Sequence, residues 1–266
     1  MKEIKITSID QLITELNSLP NSYIFRGQAS AEWPLASSLE RTLDAKWSAT
    51  NARKFEEYAL ECFKSKFHLY DGENIEPNSL LAWLSMMQHY GAPTRLIDFT
   101  ESPYVALYFA IETIRAGADK NKSMAVYAIN YTEMMEASLS HIKEKDAKFT
   151  ETRESLRTRQ DSIYEEIVNR FAYDIAWVTE PGRINKRLDR QSGCFLLSGN
   201  REKRIEDILC SPTYSSIGLT KYIIPLVFLN NIWALLRKMN INSKTIYGDL
   251  QGLCHSLRIE MQIYAT

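Results

Sequence analysis

The chain has 266 residues, of which 45% are hydrophobic and 24% charged, with four cysteines. A chain of this size buries roughly 70% of its unfolded surface, so it can hold a core without disulfides or structural metal. The composition excludes a wholly disordered, collagen-like or multi-span membrane protein. The net charge of −1 means that any anion site has to be local.

Ser8 followed by Gln11 has capping-box spacing. Ile9, Leu12, Ile13, Leu16 and Leu19 then repeat at the helical period, and Pro20-Asn21 stops that helix. Tyr23-Ile24-Phe25 reads as a strand running into Arg26-Gly27-Gln28. Helices are predicted over about 52–70 and 79–90, the second stopped by Gly91-Ala92-Pro93. Ser102-Pro103 supplies an N-cap and a first-turn proline for a helix from Tyr104 to about Ile114. That helix is apolar nearly all round, which predicts burial at the centre of the fold.

Met124–Ile129 reads as a strand. Residues 143–170 carry seven basic and seven acidic side chains, with apolar positions sparse until Ile163, Ile167, Val168 and Phe171. This predicts a long solvated helix or mobile segment that docks only at its C-terminal end. Strands are predicted at Ile175–Val178, Cys194–Leu197 and Tyr222–Phe228, and helices at about 230–238 and 248–261. Strands and helices mix without regular alternation, so the expectation is one α+β domain over 1–266, with a modest mixed sheet and one buried helix at about 102–115.

No secretory signal is expected at the N-terminus. The most apolar segments, Ile223–Leu229 and Tyr104–Ile111, are too short to span a bilayer. Cys62, Cys194, Cys210 and Cys254 are dispersed, which predicts buried free thiols and a cytoplasmic protein. His68, His89, His141 and His255 lack metal-ligand spacing, so no metal is expected, and no nucleotide-loop or hydrolase motif occurs.

Three clusters remain. Arg26, at the end of a strand and followed by Gly27, needs an acidic partner such as Asp98 or a bound phosphate or carboxylate. Gln88-His89-Tyr90 through Thr94-Arg95 to Asp98 sits between a helix end and the apolar helix. It is either a hydrogen-bonded latch, with Asp98 and Thr100 placed to cap the next helix, or the wall of a pocket beside Arg26. Arg183 to Arg204 carries net charge +5. If 183–191 is helical, Arg183, Arg187 and Arg190/Gln191 share a face, either solvated or turned to phosphate.

These pieces resemble the FRG domain, a family of bacteria and their viruses named for a Phe-Arg-Gly motif. The matching stretches are Tyr23–Gln28, Trp33–Leu39 with Arg41, Trp83-Leu84, Gln88–Asp98, Ser102–Ala110, Asn185–Arg187, Gln191–Phe195 and Ile246–Gly252. The likeness spans about 21–255 and departs at Gly248, where the family pattern calls for proline. The Arg-bearing strand is similar to that of ADP-ribosyltransferases. This resemblance implies NAD as ligand, Arg26 as the grip on its phosphate or ribose and Glu180 as the second catalytic residue. Gly27, Gln28, Gln88, His89, Tyr90, Thr94, Arg95, Asp98, Arg187 and Gln191 are then the expected ligand contacts. An effector in bacterial or phage conflict is the implied role. A non-catalytic ligand-sensing or protein-interaction module, and a nucleic-acid binder using 183–204, remain open beside it.

Overall fold

The structure is a computed structural model that describes residues 1–70, 76–115, 117–182 and 186–264, without the side chains at 157, 251 and 262–264. In chain order the elements begin β1 (Lys2–Lys5), α1 (Ile9–Asn17), β2 (Tyr23–Gln28), α2 (Ser38–Leu43), α3 (Ala49–Phe67), α4 (Leu80–His89), β3 (Ile97–Thr100), α5 (Pro103–Ile111) and β4 (Ser123–Asn130). They continue α6 (Tyr131–Lys145), α7 (Arg153–Thr158), α8 (Gln160–Glu166), β5 (Ala176–Thr179), α9 (Lys186–Arg190), β6 (Gly193–Ser198) and α10 (Ile205–Leu209). The last are β7 (Leu219–Pro225), α11 (Leu229–Lys238), α12 (Ser243–Tyr247) and α13 (Leu250–Tyr264).

The strands form a seven-stranded sheet in the order β1-β7-β4-β2-β3-β6-β5. It is antiparallel except for the parallel pair β1–β7, so the fold is α+β as expected. Strand alternation splits the core into two layers. Ala125, Tyr127 and Ile129 of β4 join Leu84 and Met87 of α4, Met134 of α6 and Tyr164 of α8 on one face. Met124, Val126 and Ala128 join Leu12 of α1, Ala106 and Tyr108 of α5 and Ile232 of α11 on the other.

α5 is the buried apolar helix that the sequence predicts. Ser102 caps it by accepting from the Val105 N–H, and Pro103 opens it. Its close seat on β2 depends on Gly27: a Cβ there would lie 1.8 Å from the Ala106 carbonyl oxygen and 2.6 Å from the Ala110 nitrogen. Small residues at 106 and 110, one helical turn apart, meet a strand position without a side chain.

Several expectations are corrected. The charged region is no single helix. α6 ends at Lys145, and α7 and α8 follow as separate short helices, with Ile163, Tyr164 and Val168 buried at the C-terminal end. Residues 97–100 form a strand, and Thr100 does not cap α5: its hydroxyl donates to the Gln191 carbonyl at 2.6 Å and accepts from the Ser102 N–H at 3.0 Å. All four thiols are free, but Cys194 alone is buried, while Cys210 and Cys254 are exposed. Gly248 closes α12 at φ +68°, a value proline cannot adopt. Among the described residues no helix is long and apolar enough to cross a membrane.

Candidate functional site

β2 pairs with β4 along its whole length, Tyr23 to Gln28, but with β3 only at Phe25↔Thr100. Beyond that point the two strands part. A cleft of about 230 Å³ opens there, walled by α4, α5 and the segment 187–195. A missing ladder leaves backbone groups to satisfy. Arg26 does this in part, its Nη1 donating to the Asp98 carbonyl oxygen at 2.8 Å. Its Nε is buried with no hydrogen-bond partner. The expected Arg26–Asp98 carboxylate pair is therefore replaced by a bond to the Asp98 backbone. Burial works against the Arg26 charge, Asp98 supports it and Arg41 opposes it. An anion in the cleft would relieve that imbalance.

Asp98 presents its carboxylate to the cleft through a relay. The Leu96 N–H donates to the Thr94 hydroxyl at 3.2 Å, and that hydroxyl donates to Gln88 Oε1. With its oxygen taken, Gln88 turns its Nε2 to Asp98 Oδ1 at 2.7 Å. Thr94 is itself pinned by Ser38, whose hydroxyl accepts from the Thr94 N–H at 3.0 Å.

Across the cleft, Arg187 stacks on Tyr247 with its guanidinium carbon 4.5 Å from the ring centroid, and its Nη1 reaches the His89 carbonyl at 3.4 Å. Glu112, which caps the C-terminus of α5, accepts from the Tyr247 hydroxyl at 2.6 Å. Burial raises the Glu112 carboxyl, while the Tyr247 and Tyr108 hydroxyls and Arg187 oppose the rise. Burial and Arg187 together hold the His89 imidazole below its ordinary value, against Asp249. The cleft thus sets guanidinium groups beside two carboxylates, one held by an amide relay and one half-buried.

Arg26, Gly27, Gln88, His89, Asp98, Arg187 and Gln191 all line this cleft. Thr94 stands behind it, as the support of Gln88. Gln28 is buried and donates to the Pro34 carbonyl at 3.2 Å. Tyr90 is 70% exposed and touches the His89 ring edge-on, outside the lining.

Arg95 is elsewhere. Its Nε lies 3.2 Å from buried Glu56, its Nη2 donates to Asn169 at 2.8 Å, and its guanidinium, like that of Arg201, packs on the Phe171 ring. Glu180 is not brought to Arg26 either. It lines a second cleft that shares only Leu188 and Gly193 with the first.

The basic stretch is also dispersed. Arg187 faces the cleft, Arg190 packs on Gly248, Arg201 pairs with Glu56 at 3.5 Å and Lys203 with Asp174 at 2.6 Å. Arg183 and Asn185 lie outside the described residues. Sequence reasoning missed Glu112 and Tyr247. Glu112 follows directly on the apolar helix, and Tyr247 lies inside the Ile246–Gly252 stretch, so both had a local signal. No cluster of His, Cys, Asp and Glu placed to hold a metal occurs among the described residues.

Comparison with known proteins bears on this site. No curated protein and no solved structure matches the chain. The model of the FRG domain family matches residues 21–119, a span that contains β2, α4, β3 and α5. The strands and helices that carry Arg26, Gln88, Asp98 and Glu112 all fall within it, whereas Arg187, Gln191 and Tyr247 come from the chain beyond. The chain carries an FRG domain.

Proposed function

We propose that the cleft between β2 and β3 binds a phosphate-bearing nucleotide, and that the protein consumes NAD by transferring its ADP-ribosyl group. The observation that carries this reading is Arg26. A guanidinium with a buried, unpartnered Nε faces an open cleft that Arg187 also lines. Such groups suit a phosphate, which accepts several charged hydrogen bonds at once. Asp98 and Glu112 are acceptors for ribose hydroxyls. At about 230 Å³ the cleft is smaller than the roughly 300–1,000 Å³ of pockets for drug-sized ligands, so it would take one part of a dinucleotide.

NAD would supply the bond that breaks: nicotinamide leaves with the electron pair of its ribosyl bond, and a nucleophile on the target takes the ribosyl carbon and gives up its proton. The chain's own part is to hold the phosphate at Arg26 and Arg187 and to keep a carboxylate near the developing positive charge. Glu112 is the glutamate in this cleft, whereas Glu180 is separated from it by the wall at Leu188 and Gly193.

Calorimetric titration with NAD and with ADP-ribose, together with assay of released nicotinamide, tests the reading. Saturable binding that Arg26→Lys weakens, with nicotinamide release, is the expected result. No binding and no nicotinamide would remove the proposal. A second reading, a non-catalytic module in which Arg26 serves the fold, draws on its bond to the Asp98 carbonyl. It predicts a large fall in melting temperature for Arg26→Ala, and an unchanged melting curve would count against it.

A further inference from the structure

The cleft that holds Glu180 has its own chemistry. It measures about 370 Å³, larger than the first. Its floor is apolar and aromatic, with Trp177 almost fully buried beside Tyr131 and Met135. Its rim carries Glu101, Glu180 and Asp189, all exposed. Among the described residues none of these carboxylates has an ion-pair partner. Glu180 accepts a hydrogen bond from the Gln160 side chain, whose amide oxygen Oε1, also in the lining, is buried without a partner. Arg153, a cation of the same lining, is engaged by the Thr132 hydroxyl at 3.2 Å and by Glu136 at 3.5 Å. The field is negative enough to register on a neighbour: burial first, then Glu101 and Glu180, push the Cys194 thiol up.

Carboxylates without an ion-pair partner above an apolar, aromatic floor ask for a ligand with an apolar stem and a donor-rich cationic head. A guanidinium offers five donors in a plane and stacks on aromatic rings, and its stem buries along apolar surface. The cleft also has an outward continuation. A groove of about 390 Å³ shares Gln160 and Glu180 with it and runs over 158–162 and 180–182. That groove gives room for the backbone on which such a side chain is carried.

We propose that this second cleft receives an arginine side chain of a polypeptide. The stem lies along Trp177 and Met135, the guanidinium meets Glu101 and Glu180, and the flanking backbone occupies the outer groove. The proposal is independent of what the first cleft binds.

The test uses the full chain and three probes: a short Gly-rich peptide with one arginine, the same peptide with citrulline in its place, and free agmatine. Binding is followed by calorimetry. The arginine peptide should bind saturably. Citrulline, or the double variant Glu101→Gln/Glu180→Gln, should weaken binding by roughly tenfold or more, the scale of a lost charged hydrogen bond. Glu101→Gln alone serves as a second variant, and circular dichroism confirms that each is folded. Equal binding of the citrulline peptide, undiminished binding by the folded variants, or no binding at all would overturn the proposal. Agmatine binding as tightly as the peptide would overturn its polypeptide part and leave a site for a small organic cation.

Discussion

Gly27→Ala perturbs the contact on which the first cleft depends. The added methyl carbon would stand 1.8 Å from the Ala106 carbonyl oxygen and 2.6 Å from the Ala110 nitrogen. Both are backbone atoms of a helix, so no side-chain rotation relieves the clash. To restore an ordinary contact of about 3.4 Å, α5 or β2 has to yield by about 1.6 Å. α5 is buried nearly all round and β2 is held by β4, so neither has free space to move into. Overpacking of this kind costs about 1–3 kcal/mol, and a backbone clash belongs at the upper end or beyond.

The same shift displaces Phe109 and Glu112, which α5 and its C-cap deliver to the cleft. Equilibrium unfolding in urea measures the first effect, and ligand titration the second. A loss of less than about 0.5 kcal/mol, within the range of surface substitutions, would refute the argument that Gly27 sets the α5–β2 spacing.

Three further predictions follow from other parts of the structure. Arg95→Met should destabilise the protein by about 3 kcal/mol in denaturant unfolding, the lower end for breaking a buried pair, because Arg201 still faces Glu56. A loss under about 1 kcal/mol would show the pair to be idle. His89 is held below 6.5 by burial and by Arg187, so below that pH the unfolded chain takes up a proton that the native state resists. Its contribution is therefore present above pH 6.5 and lost as the pH falls. His89→Gln should flatten the stability profile on that side, and an unchanged slope would remove His89 as the cause. Gly248→Pro should severely destabilise the junction of α12 and α13, since φ +68° is closed to proline and Arg190 packs against that position. A thermal melt equal to that of the parent would contradict the left-handed turn.

Much of the architecture is legible in the order of residues, because its causes are local. Ser8, Ser79 and Ser102 cap helices with their own side chains, Pro103 opens α5, and Gly91 follows α4. The continuous apolar run of α5 announced its burial, and the Phe-Arg-Gly stretch announced β2. Where apolar spacing was diluted by charge, as in 143–170, local reading merged two short helices and missed the end of α6. β3 went unread because its Asp98 and Thr100 look polar in isolation and face the cleft only once the sheet is assembled.

What residue order alone determined, then, was a nearly neutral chain with Arg26, Gln88, Asp98, Arg187 and Gln191 as candidates for a local anion site. Only the tertiary structure decided which of them meet. β2 and β3 part after one paired position, and that gap is a property of sheet register that no local pattern encodes. The parting gathers Arg26 and Arg187, more than 150 positions apart, around one opening with Glu112. It leaves Arg95 buried against Glu56 and sets Glu180 in a cleft of its own, because the strand that carries each side chain, and the face to which it points, are settled by pairing across the whole sheet.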